Sequence, residues 1–295
     1  MLLNLEDRWR ALLLTLVAAM CFAVMSVLVK LAEHSLGSEQ IIFFRYFIST
    51  IIVLPYFMLG KKHTFKTKHP YLHLFRGISG ICAMTCLFVA LTLLPVANAV
   101  LLSLTYPLFI PILMLIIFHH RLSKLVLLGI LIGFLGVFLI LDPTKSGLLH
   151  YSSLIGLGAG FFLAIVMMFV YQLNKTESSE LILFYFFLII TLVSGVLMFF
   201  NWHPLSFRLD EILVGAAMVG FLYQQTLTYA LRYASPTLVA PMMYSTVVFA
   251  ALLGWLIWGE MPSSIAMIGF ILVVIGATGS VYFESRKTTK NKEIK

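Results

Sequence analysis

Apolar residues fall in ten blocks of roughly twenty, and short polar or proline-bearing stretches separate them. A block of that length crosses the hydrocarbon core as a helix, because lipid offers backbone N–H and C=O groups no partner and a helix satisfies them within one segment. The first five blocks are Ala11 to Leu31, Gln40 to Leu59, Tyr71 to Leu94, Val96 to Phe118 and Lys124 to Leu141. The second five are Tyr151 to Gln172, Glu180 to Phe200, Glu211 to Leu231, Pro236 to Trp258 and Ser264 to Phe283. Gly60 with Lys61 and Lys62, Pro70, Pro95, Asp142 with Pro143, Pro204, Pro236 and Pro262 mark the joins. The joins are too short to hold a soluble domain, and only Glu284 to Lys295 reads as a disordered tail. The pattern predicts an all-α integral membrane protein of ten transmembrane helices.

The two sets of five look like copies of one unit. An ungapped shift of 140 residues puts Ala90 on Ala230, Leu91 on Leu231, Ser123 on Ser263, Gly129 on Gly269 and Gly136 on Gly276. Upstream, the same shift puts Phe22 on Phe162, Ile42 on Ile182, Phe44 on Phe184, Phe47 on Phe187, Gly80 on Gly220 and Leu87 on Leu227. Single coincidences are common in so apolar a chain, so the evidence lies in the constant offset. Residues 11–141 and 151–283 are thus two five-helix repeats, preceded by an N-terminal segment, 1–10, and followed by a basic tail, 284–295. Five is odd, so the second repeat enters the membrane inverted. Inverted repeats around a central cavity characterise many secondary transporters, whose solute site lies near the midplane where the halves meet.

Composition agrees: 61% of residues are hydrophobic, 11% are charged and mean hydropathy is +1.02, against about 25% charged in soluble domains. Cys21, Cys82 and Cys86 all lie inside apolar blocks, and no His joins the last two, so neither a disulfide framework nor a metal pair is expected. The net charge of +8 does not signal nucleic acid, because its location explains it. With a cytoplasmic N-terminus, 15 Lys and Arg residues fall on the cytoplasmic side and only Lys145 and Arg208 on the other. That asymmetry predicts both termini inside a bacterial inner membrane. The block after Arg8 and Arg10 is too long for an ordinary signal core and is read as a retained first span.

The twelve carboxylates and eight histidines all map to block ends or beyond. The midplane therefore lacks the acid that a proton or sodium relay uses, which points to facilitated transport or exchange. Lys30, Arg45 and Arg76 are the embedded cations. Lys30 is expected to snorkel and pair with Glu33. Arg45 has Glu39 or Glu33 as possible partners, and either arginine, if it enters the cavity, suits a bidentate carboxylate or phosphate. Neutral polar residues cluster on three spans: Asn98, Ser103, Thr105 and Tyr106 around Pro107 and Pro111; Tyr223, Gln224, Gln225, Thr226, Thr228 and Tyr229; and Tyr244, Ser245 and Thr246 after Pro241. These spans are expected to line one cavity, with Tyr106, Tyr223, Gln224, Tyr244, Asn98, Ser103, Arg45 and Arg76 as the substrate-binding set. The alternative for the hydroxyls is plain interhelical bonding. The glycines 129, 133 and 136, and 156, 158 and 160, are read as close helix packing, and His119-His120-Arg121 as a solvated helix end. No nucleophile, base and orienter fall together, so the chain is not read as an enzyme, and no cofactor or metal is expected.

Ala90-Leu91, Tyr106-Pro107-Leu108-Phe109, and Leu122-Ser123 through Gly129 to Gly136-Val137 resemble the EamA-domain branch of the drug/metabolite transporter superfamily. Ala230-Leu231, Gly259-Glu260 and Gly269 to Gly276 continue the resemblance in the second half. Phe44-Arg45-Tyr46, His73-Leu74-Phe75-Arg76-Gly77 and Pro95 to Pro107 are similar to the subgroup that includes S-adenosylmethionine uptake transporters. The resemblance implies ten helices in two inverted repeats around a central cavity. Its partners are a small-molecule solute and membrane lipid; the oligomeric state is left open. Two departures stand out. His119-His120 replaces the family's Gly-Glu pair, and Val247 stands where Pro107 predicts a second proline, so the helix break is expected at different depths in the two halves. The expected solute is a small zwitterionic or amphipathic metabolite, amino acid or nucleoside-like, possibly S-adenosylmethionine. Export of drugs or toxic metabolites is the alternative, and a membrane-embedded channel or enzyme the alternative of another class.

Overall fold

The computed structural model describes residues 5–33, 36–59, 65–118, 124–141, 151–200, 202, 204, 207–234, 239, 242–259 and 262–293. Among them the chain is helical throughout. The first half holds α1 (Leu5–Glu33), α2 (Ser38–Leu59), α3 (Pro70–Leu93), α4 (Val96–Ser103), α5 (Tyr106–Phe118) and α6 (Lys124–Leu141). The second holds α7 (Tyr151–Leu173), α8 (Ser179–Phe200), α9 (Phe207–Tyr233), α10 (Ser245–Trp258) and α11 (Ser264–Glu293). Helices α4 and α5 together make the fourth of ten spans. The segment expected as a disordered tail continues α11 as far as Glu293. Neither Gly nor Pro intervenes between Phe283 and Glu293 to stop the helix.

Local chemistry explains the ends. Pro70 opens α3, where its missing N–H costs nothing. Leu94, held extended by the following Pro95, closes that helix. Gly259 closes α10 at φ 68° and donates its N–H to Trp255 O at 2.9 Å, a left-handed turn that a side chain would strain.

Packing follows the repeat. Helix α1 lies along α9, α3 along α7, α2 against α8 and α6 against α11, so exchanging the halves maps the arrangement onto itself. The closest approach joins α6 to α11. A Cβ on Gly136 would strike Gly269 O and Val273 N, and one on Gly276 would strike Gly129 O and Gly133 N. Close backbone approach of this kind suits a bilayer, where helices gain contact energy by packing rather than by hiding from water. The outward faces are apolar: Leu128, Leu131 and Leu135 on α6 and Ile268, Ile271 and Ile275 on α11 are about half exposed, as lipid contact permits.

The fourth span breaks at Leu104-Thr105. Pro107 removes one donor from the ladder, and Thr105 Oγ1 donates to Leu102 O at 2.7 Å. The ninth span breaks at Tyr244, and Ser245 Oγ donates to Met242 O at 2.7 Å. Thr105 and Ser245 are repeat equivalents, as are Leu102 and Met242. The breaks therefore sit at the same depth, contrary to the expectation drawn from the prolines. The shared feature is a hydroxyl bonded three residues back, which competes with the helical ladder in both copies. Pro236, Pro241, His119, His120, Arg121 and Glu260 lie outside the described residues.

Substituting Gly276→Ala should lower the melting temperature in detergent, by about 1–3 kcal/mol of overpacking cost. Gly158→Ala, whose Cβ would meet only Cys86 Sγ at 3.6 Å, should melt like the wild type. Equal melting of both variants would mean that the α6–α11 crossing is not tight.

Candidate functional site

At the junction of the halves, Tyr46 of α2 and Phe186 of α8 meet edge to face, with ring centroids 5.7 Å apart. They are repeat equivalents under the 140-residue shift. Each ring carries a guanidinium: Arg45 lies 4.5 Å from the Tyr46 centroid and Arg76 lies 3.9 Å from that of Phe186. Both arginines are buried, at 1% and 0% exposure. Arg45 Nη1 donates to Tyr46 Oη at 3.1 Å and approaches Met84 Sδ at 3.4 Å. Arg76 Nη1 donates to Ile182 O at 2.6 Å. The Nε and Nη2 atoms of both arginines are buried without a partner.

Among the described residues no carboxylate pairs with either arginine, so the expected pairing of Arg45 with Glu39 or Glu33 is not formed. Glu33 instead accepts from Ser38 Oγ at 2.6 Å. Lys30 Nζ reaches Leu94 O at 3.4 Å and stands 4.9 Å from the Trp258 ring. Lys30 turns inward to α3 and to the second half.

The tyrosines extend the cluster. Tyr223 of α9 lies within electrostatic reach of Arg45, Arg76 and Tyr46, and its ring packs 4.7 Å from Phe22. Tyr106, first residue of α5, is within similar reach of Tyr223, and Tyr244 of Tyr106. All three tyrosines are at most 5% exposed, and Tyr244 Oη and Thr246 Oγ1 are buried without partners. Gln224 is buried, and Asn98 is half-buried with Oδ1 enclosed and unpartnered. Ser103 donates within its own helix, to Val100 O at 2.7 Å. The structure thus sets Tyr223 near Arg45 and Arg76, with Tyr106 beyond Tyr223 and Tyr244 beyond Tyr106, while the Ser103 hydroxyl is spent locally. Helix α9 packs chiefly on α1, α2 and α8, whereas α4 packs on α10, so the three polar spans meet across α1 rather than side by side. The cluster is closed in this conformation. A Cβ on Gly220 would strike Arg45 Nε, so α9 stands directly against that guanidinium. Beside Tyr244, a groove of about 290 Å³ between α10 and α11 is lined by Val248, Phe270 and Ile275.

Tyr46 and Phe186 were not among the expected site residues. The signal was their equivalence under the repeat shift, with Arg45 adjacent to one of them. His73 sits in the first turn of α3, at the block end as expected, yet it is 1% exposed, with Nε2 2.6 Å from Glu177 Oε2. Glu177 also accepts from Thr67 Oγ1 at 2.5 Å and Lys68 N at 2.9 Å. Tyr185 stacks on His73 at 4.6 Å and donates to Phe65 O at 2.6 Å. These contacts latch the two halves on one face.

The EamA-like transporter family matches residues 9–142 and 150–282. The chain belongs to this family. It is therefore a multi-pass membrane transporter of small molecules, not an enzyme. The chain is 30% identical over 266 residues to the Pseudopaline exporter CntI of Pseudomonas aeruginosa (strain UCBPP-PA14), covering 89% of this chain and 93% of that one. The S-adenosylmethionine uptake transporter of Rickettsia prowazekii (strain Madrid E) is 27% identical, with 95% and 94% covered. The riboflavin transporter of Vibrio cholerae is 25% identical, with 95% of each covered. A crystal structure 17% identical superposes with a TM-score of 0.66, covering 94% of this chain and 98% of its own, and supports the fold.

Two outcomes follow for this EamA-family chain. Gly220→Ala should displace the Arg45 guanidinium, cutting transport at least about tenfold while the melting temperature falls little; unchanged transport would separate Arg45 from the solute path. For Glu177, burial raises the carboxyl pKa, but hydrogen bonds from Thr67, His73 and Lys68 outweigh that and hold it below the 4.5 of a free glutamate. A depressed pKa contributes stability that is present above 4.5 and is lost as pH falls through the folded value. The wild-type melting temperature should therefore drop below pH 4.5, and Glu177→Gln should lower it at neutral pH and flatten the acid limb.

Proposed function

We propose that the chain moves a small zwitterionic or amphipathic metabolite, amino acid or nucleoside-like, across a bacterial inner membrane by alternating access, with the arginine–tyrosine cluster as the solute site. The observation that carries this reading is the pair of buried guanidiniums lacking a protein counter-ion where the two repeats meet. A solute carboxylate supplies that counter-ion through charge-assisted bonds, and Tyr106, Tyr223 and Tyr244 offer stacking faces and hydroxyls. Gln224 and Asn98 extend the same polar lining. Among the described residues no carboxylate touches the cluster, which favours facilitated transport or exchange over proton-driven pumping.

The charge asymmetry of 15 against two puts both termini and the Glu177 latch in the cytoplasm. Lys30 against Trp258 then closes the outer face. Alternating access consists of releasing one closure while the other holds.

S-adenosylmethionine is the narrowest version of the solute. Its carboxylate suits an arginine and its sulfonium suits an aromatic face. Outward movement of the solute is a second reading, favoured by the 30% identity to the Pseudopaline exporter.

Entrance counterflow in proteoliposomes, run against a panel of labelled amino acids, nucleosides and S-adenosylmethionine, tests the proposal. Saturable, trans-stimulated uptake is expected for one class, reduced at least about tenfold in Arg45→Gln and Arg76→Gln. Flux without saturation would favour a channel. Strong accumulation driven by a proton gradient without counter-solute would reject exchange.

A further inference from the structure

We infer that the solute is doubly anionic, and that each arginine receives one carboxylate or phosphate group through the Nε–Nη2 edge of its guanidinium. The inference rests on the transport reading above, narrows it to solutes with two anionic groups, and thereby sets S-adenosylmethionine, with its single carboxylate, aside. Both arginines commit the same nitrogen: Nη1 of Arg45 to Tyr46 Oη at 3.1 Å, and Nη1 of Arg76 to Ile182 O at 2.6 Å. Both leave Nε and Nη2 buried and unpartnered. Those two N–H groups point the same way from one side of the guanidinium plane, the spacing that matches two oxygens of one carboxylate or phosphate.

Everything else about the two groups is already occupied. The Arg45 face lies over the Tyr46 ring and that of Arg76 over the Phe186 ring, at 4.5 and 3.9 Å. With Nη1 tied and a ring beneath, the Nε–Nη2 edge is what each arginine has left to offer. Tyr46 and Phe186 touch, so the two arginine-bearing rings are neighbours, and we take their open edges as one site. Tyr223 is within electrostatic reach of both arginines. A solute with one anionic group would leave the second guanidinium buried and uncompensated, a heavy cost in low dielectric. One with two anionic groups neutralises both. The backbone of α9 at Gly220 covers the Arg45 edge in this closed conformation, so the solute reaches it only when α9 withdraws.

Acid and amide pairs test the idea: L-glutamate against L-glutamine, L-aspartate against L-asparagine, and O-phospho-L-serine against L-serine to separate phosphate from carboxylate. Each is scored as a competitor of exchange and as a stabiliser of the detergent-purified protein against heat. The doubly anionic member should act at about tenfold lower concentration, and Arg45→Gln or Arg76→Gln should each reduce that preference below about twofold. Without ligand, both variants should melt no lower than wild type, because each removes an uncompensated buried charge. If either fails to fold, Arg45→Lys and Arg76→Lys keep the charge but lose the fork, and should lose the preference too. Equal potency of acid and amide, a preference that survives either substitution, or no response to any doubly anionic probe would overturn the inference. An acid preference in melting without any exchange would sink the transport reading alone, while exchange without acid preference would sink this one alone.

Discussion

Two guanidinium ions held inside a membrane protein, with no counter-ion among the described residues, are the constraint around which the rest of the structure is arranged. Desolvating each one costs several kcal/mol even after relaxation. Arg45 and Arg76 recover part of that through aromatic faces and one hydrogen bond apiece. The remainder is a standing demand for negative charge. In a transporter such a demand suits a solute site, which is the role proposed above for this pair.

The repeat explains how such a site is held. Features that match between the copies build the scaffold: Tyr46 with Phe186, the hydroxyls of Thr105 with Ser245, and Gly136 with Gly276. Features that differ build the site. Under the same shift Arg45 falls on Tyr185, Arg76 on Ala216, Tyr106 on Thr246, Tyr223 on Ala83 and Tyr244 on Leu104. A symmetric frame suits two related states, while an asymmetric lining suits the proposed binding of a solute that has no such symmetry.

The same asymmetry governs the two closures. On one face Glu177 gathers Thr67, Lys68 and His73, joining the loop after α7 to the start of α3. On the other, Lys30 of α1 faces the last residue of α10. A carboxylate with three donors and an ammonium over an indole are different contacts, so the two faces need not open with equal ease.

The number of spans, the duplication and the glycine crossing of α6 and α11 were legible in the sequence, because each depends on local physics. In lipid every backbone group must be satisfied within its own helix, so apolar runs and breakers alone set the elements. A constant offset reveals the duplication, and small residues at fixed spacing mark close packing. The tertiary structure alone decided which polar residues meet. Lys30 reached Leu94 O across 64 positions of chain, Ser103 turned back to its own helix, and His73 found Glu177 across 104 positions. Tyrosine and phenylalanine that face lipid have the same hydropathy as those that cradle an arginine, so no pattern along the chain separates them. Only the packing of two inverted halves sets Tyr46 against Phe186 and brings both guanidiniums to one place.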